Sequence, residues 1–149
     1  MSLINNVLVI CIGNICRSPM AEALLKKALA KEHPEVSVTS AGLGALIDHP
    51  ADANSLKLMQ AQDIDISAHR ARQITPELVF GSDLILTMST EQTEQVEKQF
   101  PSAKGRVHRI GKWGEYNIVD PFKRPEAIFK QALTLIEQGI DDWHKKLWN

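Results

Sequence analysis

Val7-Leu8-Val9-Ile10-Cys11-Ile12-Gly13-Asn14-Ile15-Cys16-Arg17-Ser18-Pro19 is the stretch that decides the fold. Its first four residues are apolar on both faces, the mark of a strand buried inside a parallel sheet. Gly13 and Asn14 break that strand. Ser18-Pro19 then reads as a helix start, with Ser18 as N-cap and Pro19 at the first helical position. A loop that joins a buried strand to a helix N-terminus can turn several backbone N–H groups inward, and the helix end adds positive potential. Residues 12–18 therefore form a cradle for a tetrahedral dianion. Arg17 adds a planar fork that matches two phosphate oxygens. In such a field a thiol loses its proton readily, its pKa falling from about 8.5 into roughly 3.5–7.5. Cys11 is then a candidate nucleophile, and Ser18 a donor to its sulfur. The bland alternative makes Cys11 a small buried hydrophobe and Arg17 a surface cation. No Lys-Ser/Thr follows the glycine, so this is not a nucleotide-binding loop of the Walker type.

Outward from this loop, apolar strands alternate with helices. Residues 36–40, 84–88 and 107–110 read as further strands. Residues 19–33, 51–62, 76–80, 90–99 and 126–147 read as helices, the last weakened by Gly139, which costs about 1 kcal/mol relative to Ala in a helix interior. The alternation predicts an open parallel α/β sheet covered on both faces, with ligands bound beyond the carboxyl ends of the strands. Cys11 falls at that edge. The 149 residues suit one domain, spanning 1–149.

Composition excludes several classes. Formal charge is −1 from 17 basic and 18 acidic residues, which leaves no surplus for nucleic acid. No apolar run approaches the ~20 residues of a membrane span. The first residues lack the basic leader of an export signal, so a cytoplasmic location is expected. Two cysteines, Cys11 and Cys16, cannot build a disulfide scaffold or a four-ligand zinc site. His33, His49, His108 and His144 lack metal-ligand spacing.

Several residues stay open on the residues alone. Asp120-Pro121 suits a general acid beside the loop or an ordinary turn. Leu43, Leu46 and Ile47 suit a substrate slot or loop packing. Tyr116 and Trp113 suit aromatic substrate contacts or packing beneath their loop. Asn14 tolerates a left-handed backbone. His69, Arg70 and Arg72 read as structural, solvated or ion-paired. Asp83 ties the end of strand three to the loop, or caps a strand. Cys16 either protects Cys11 from irreversible oxidation by forming a disulfide or is a packed side chain.

Cys11-x5-Arg17-Ser18 near the N-terminus resembles the signature of the low molecular weight protein tyrosine phosphatases. Ser40-Ala41-Gly42, His69 to Gln73, Asp83 to Met88 and Asp120-Pro121-Phe122 resemble that family's segments in its order. The likeness covers essentially the whole chain. Residues 40–47 look most like the bacterial members that act beside tyrosine kinases of capsule and exopolysaccharide export. The resemblance implies a four-stranded parallel sheet and a phosphocysteine mechanism without metal or cofactor. Cys11 is then the nucleophile, Arg17 the oxyanion clamp and Asp120 the acid. Ile12, Gly13, Asn14, Ile15, Cys16, Arg17 and Ser18 become the phosphate loop, and Ser40 and His69 become partners of Asn14. The implied partner is a phosphotyrosine protein, such as a tyrosine autokinase. Phe122 stands where the family often has Tyr, which keeps an aromatic wall and removes a phosphorylation site. A rival of the same fold, arsenate reductase, needs further cysteines for a disulfide relay. A second rival, a phosphotyrosine-binding module without catalysis, needs neither thiol nor acid.

Overall fold

The opening apolar run becomes an inner strand of a parallel sheet. Among residues 4–148, which the computed structural model describes, four strands run in the order β2-β1-β3-β4. They are β1 (Asn6–Cys11), β2 (Ser37–Gly42), β3 (Leu84–Thr87) and β4 (Val107–Arg109). β1 pairs β2 from Asn6↔Ser37 to Cys11↔Gly42, and β3 from Val7↔Leu84 to Val9↔Leu86. Burial on both faces explains the unbroken apolar runs. The helices are α1 (Arg17–Leu29), α2 (Ala53–Gln60), α3 (Pro76–Phe80), α4 (Thr90–Gln99) and α5 (Glu126–Leu147). Val7, Val9 and Cys11 share one core with Met20 and Leu25 of α1, Met59 of α2 and Phe129 and Ile136 of α5. Leu8 and Ile10 point the other way, into a core with Val79 of α3 and Val96 of α4. The period-2 alternation of β1 therefore feeds two helical layers. No helix of the described residues is long and apolar enough to cross a membrane.

Three sequence expectations need correction. α1 begins at Arg17, two residues early, and its N-cap is Cys16 with no side-chain cap bond. Ser18 cannot cap because its hydroxyl is held by Cys11 and Asn14. Pro19 is still tolerated in the first turn, where N–H groups lack intrahelical partners. Asp83 does not reach the loop. Its Oδ2 accepts the N–H groups of Asn5 and Asn6, each at 2.9 Å. These bonds hold the carboxyl below its usual range. Asp83 precedes β3, so in a parallel sheet it stands at the amino edge, opposite the loop.

Gly139 is required where helix propensity favours Ala. α5 crosses the end of β4 so closely that an added Cβ would clash with the Ile110 side chain and sit 2.6 Å from its carbonyl oxygen. Trp143 Nε1 donates to Arg109 O at 3.0 Å and fixes the same crossing. Overpacking costs about 1–3 kcal/mol, which exceeds the roughly 1 kcal/mol of propensity gained. Gly139→Ala is expected to lower Tm by several degrees in a thermal melt; a rise in Tm would show that the crossing relaxes freely.

Candidate active site

Six successive carbonyls of the loop after β1 are tied away from its centre. Cys11 O, Ile12 O and Gly13 O accept the N–H groups of Leu43, Gly44 and Leu46 at 3.0, 3.0 and 3.1 Å. Asn14 O accepts from His69 Nε2 at 2.6 Å. Ile15 O accepts Asp52 N–H at 2.8 Å, and Cys16 O accepts the Ser55 hydroxyl at 3.1 Å. In a trans peptide unit N–H opposes C=O. With these carbonyls turned outward, the N–H groups of residues 12–17 face the ring's interior. Among the described residues, none of the loop and turn main-chain bonds uses them as donors. Gly42 permits the close approach of residues 43–46, because a Cβ there would clash with Ile12 O.

Asn14 closes the ring. It is fully buried and left-handed, with φ 59°. Its Oδ1 accepts Arg72 N–H at 2.9 Å, which fixes the amide orientation, since a backbone N–H can only donate. Nδ2 therefore donates to Ser18 Oγ at 2.8 Å and Ser40 Oγ at 3.0 Å. Both hydroxyls accept from Asn14 and must send their protons elsewhere. Ser40 donates to Glu22 Oε1 at 2.6 Å. Ser18 stands 2.9 Å from Cys11 Sγ, placed to donate to it. Arg72 Nε also donates to Ser40 O at 2.9 Å. Glu22 and Arg72 thus belong to the support of the loop, a role the sequence did not reveal. His69, by contrast, reaches the Asn14 carbonyl and not its amide.

Arg17 is 4% exposed and faces the same centre. Nη1 donates to Ile118 O at 2.9 Å, and Nη2 lies 3.6 Å from Asp120 Oδ2. Its buried Nε has no partner among the described residues. A buried cationic donor without an acceptor costs free energy unless an anion meets it, so the orphan points to an oxyanion. Ile118 N donates to Met88 O at 2.8 Å, which docks the segment carrying Asp120 to the end of β3. Asp120 is 52% exposed, and its Oδ1 accepts Phe122 N–H at 3.1 Å. That bond is the turn that Asp-Pro suggested, and Asp120 also faces the loop; the two alternatives coexist.

The cleft above Cys11 encloses about 120 Å³ between Ile12, Leu46, Phe122 and Asp120, with Arg17 and Cys16 deeper. Leu46 and Phe122 are lining residues of this cleft. Leu43 is not: it is buried in the core beneath and serves through its backbone. Tyr116 is not either. Its hydroxyl donates to Leu135 O at 2.7 Å, anchoring the loop to α5, and burial raises its pKa, followed by the Asp142 charge. Trp113 packs edge-on against Trp143 at 5.4 Å, away from the cleft. Ile47 is 60% exposed and stands outside the cleft lining. Cys11 and Cys16 are both free thiols. Burial pushes the Cys16 thiol far up, reinforced by the charges of Asp52, Cys11 and Asp120 and opposed by Arg17. Cys16 is therefore a protonated thiol at neutral pH.

A strand, a ring of inward N–H groups around a thiol, a buried Arg and a facing carboxyl define a cysteine-dependent phosphatase. Over residues 6–149 the chain belongs to the low molecular weight phosphotyrosine protein phosphatase family. It is 45% identical over 141 residues to the "Probable low molecular weight protein-tyrosine-phosphatase EpsP" of Ralstonia nicotianae, covering 95% of this chain and 94% of the relative. The crystal structure of the Erwinia amylovora tyrosine phosphatase amsI superposes with TM-score 0.92 at 34% identity, covering 99% and 95% of the two chains. Wzb of Vibrio vulnificus in complex with benzylphosphonate superposes with TM-score 0.90 at 37% identity, covering 97% and 99%. The chain is an enzyme of this protein-tyrosine phosphatase class.

Proposed function

We propose that the chain hydrolyses phosphotyrosine in proteins through a phosphocysteine on Cys11, and that its physiological substrate is a bacterial tyrosine autokinase of capsule or exopolysaccharide production. The observation that carries the chemistry is the ring of six outward-tied carbonyls with Cys11 at its centre. Cys11 Sγ attacks phosphorus as the P–O bond to the tyrosyl ring breaks. Asp120 gives its proton to the departing oxygen. Arg17 and the inward N–H groups stabilise the equatorial oxygens. Asp120, now ionised, takes a proton from the water that attacks the phosphocysteine. The P–S bond breaks, the thiolate leaves with the Ser18 hydrogen bond to support it, and inorganic phosphate departs. The apolar walls of Ile12, Leu46 and Phe122 suit an aryl group. The benzylphosphonate bound to the related Wzb is an aromatic phosphoryl analogue of that kind.

The kinase assignment is supported by the relatives named EpsP, amsI and Wzb. Two free thiols suit the reducing cytoplasm, where the enzyme is proposed to act. The test incubates the enzyme with an autophosphorylated kinase of that kind. Phosphotyrosine should disappear with stoichiometric release of phosphate, and chelators should not slow it. Undiminished phosphotyrosine, with p-nitrophenyl phosphate turned over normally, would remove the kinase assignment and leave the phosphatase chemistry standing.

Cys16 carries a redox proposal at the same site. Peroxide oxidises the Cys11 thiolate to sulfenic acid. The Cys16 sulfur then displaces hydroxide from it, forming the disulfide, and its thiol proton leaves with that hydroxide as water. The high thiol pKa of Cys16 makes this closure slow at neutral pH and faster as pH rises. After brief peroxide the parent should lose activity and peptide mapping should show a Cys11–Cys16 link, and dithiothreitol should then restore activity. Cys16→Ser should recover poorly. Equal recovery without a linked peptide leaves Cys16 a packing role only.

A further inference from the structure

The slot wall formed by Phe122 carries an ammonium. Lys123 Nζ lies over the Phe122 ring, 5.3 Å from its centroid. Phe122 is 40% exposed at the mouth, and Lys123 and Arg124 are exposed beside it. This short segment is held in place and does not trail into solvent. Phe122 N–H is bonded to Asp120 Oδ1, and Arg124 N–H to Pro121 O at 2.8 Å. Lys123 itself sits in the left-handed region at φ 60°.

Neither cation has a carboxylate partner among the described residues. Asp120 faces Arg17 at 3.6 Å. Glu126, the next acid along the chain, is committed to Lys57 at 2.7 Å and Lys130 at 3.5 Å. A pair of cations therefore stands unneutralised on one side of the mouth of a chain whose net charge is only −1. Next to Leu46, the other apolar lining residue, the chain exposes Ile47, Asp48 and His49, with no Lys or Arg among them. The exposed cations adjoin Phe122. An ammonium within 6 Å of the ring that walls the slot lies well inside a Debye length of about 8 Å, in reach of side chains flanking the bound phosphotyrosine.

We propose that Lys123, with Arg124 beside it, selects phosphotyrosines flanked by Asp or Glu, so that the substrate is an acidic segment of a protein. The proposal rests on the phosphatase reading above and adds its sequence preference. Attraction at an exposed rim acts on encounter and binding more than on the chemical step. It should therefore lower KM and leave kcat unchanged, as uniform binding does. Exposed pairs contribute little one by one, so two cations against two carboxylates should give about three- to tenfold in kcat/KM at low salt.

The experiment uses two phosphotyrosine peptides of one sequence, with Asp on both sides of the phosphotyrosine in one and Lys in the other, and p-nitrophenyl phosphate as reference. The parent enzyme should prefer the Asp peptide through KM, and high salt should erase most of that preference. Lys123→Glu/Arg124→Glu should prefer the Lys peptide, with kcat for p-nitrophenyl phosphate within about twofold of the parent, since rim charges leave the chemistry alone. A parent that does not distinguish the peptides, or a double variant that keeps the parent's preference, overturns the proposal. A parent inactive on p-nitrophenyl phosphate would instead sink the phosphatase reading on which it stands.

Discussion

Purified Cys11→Ser protein should release no measurable phosphate from p-nitrophenyl phosphate, while still binding phosphate or vanadate. The oxygen of serine keeps the hydrogen-bonding capacity of the position. It cannot act as a thiolate, because an alcohol holds its proton far more tightly than a thiol and is a poorer leaving group when the phosphoryl intermediate breaks down. The ring itself is made of backbone, held by Leu43, Gly44, Leu46, Asp52, Ser55 and His69, and none of these bonds involves the Cys11 side chain. Binding and turnover should therefore separate cleanly. Equilibrium dialysis reads the first and a phosphate-release assay the second. Substantial turnover by the variant would overturn the phosphocysteine route. Arg17→Lys tests the other half of the same machine. It forfeits both the buried Nε and the Nη1 bond to Ile118 O that docks the segment bearing Asp120. Activity near the parent's in that variant would count against the assigned clamp.

Asp120→Asn should slow the first chemical step by roughly 10²–10⁴-fold, the usual range for a positioned acid. The variant keeps the Phe122 N–H bond through the amide oxygen, so the turn should survive. The proton is what is lost. Phenols of high pKa need that proton most, and their rates should fall furthest. A series of aryl phosphates read by single-turnover kinetics gives the slope of rate against leaving-group pKa. A steeper slope in the variant identifies Asp120 as the acid. An unchanged slope assigns it a structural role, such as the contact with Arg17 at 3.6 Å.

The chemical core was legible because it is local. Strand, loop and helix start fit within thirteen residues from Val7 to Pro19, and each residue type there has one job that few others could do. The parallel sheet was legible because strands buried on both faces lose their polar alternation. What supports the loop, beyond Ser40 and His69, was not. The N–H groups that hold its carbonyls belong to Leu43, Gly44, Leu46 and Asp52, and every non-proline residue carries such a group. Glu22 looked like any solvated helical carboxylate until Ser40 was seen to donate to it. Asp83 was misplaced because one chain says nothing about which sheet edge a flanking residue will meet. Tyr116 stood near Asp120 in sequence, yet turned its hydroxyl to Leu135. Gly139 looked like a flaw because propensity carries no knowledge of Ile110 across the gap.

The outward-tied carbonyls also separate two kinds of change open to this enzyme. Peptide N–H groups are the same whatever side chain sits on the adjoining carbon. The proposed grip on the phosphoryl group thus lies in backbone N–H groups and Arg17, and the side chains of Ile12, Leu46 and Phe122 that border the cleft hold no part of it. Substitutions there can refit the mouth to a new phosphorylated group while the anion cage stays as it is. A lineage, or an engineer, can change what is recognised without rebuilding how it reacts.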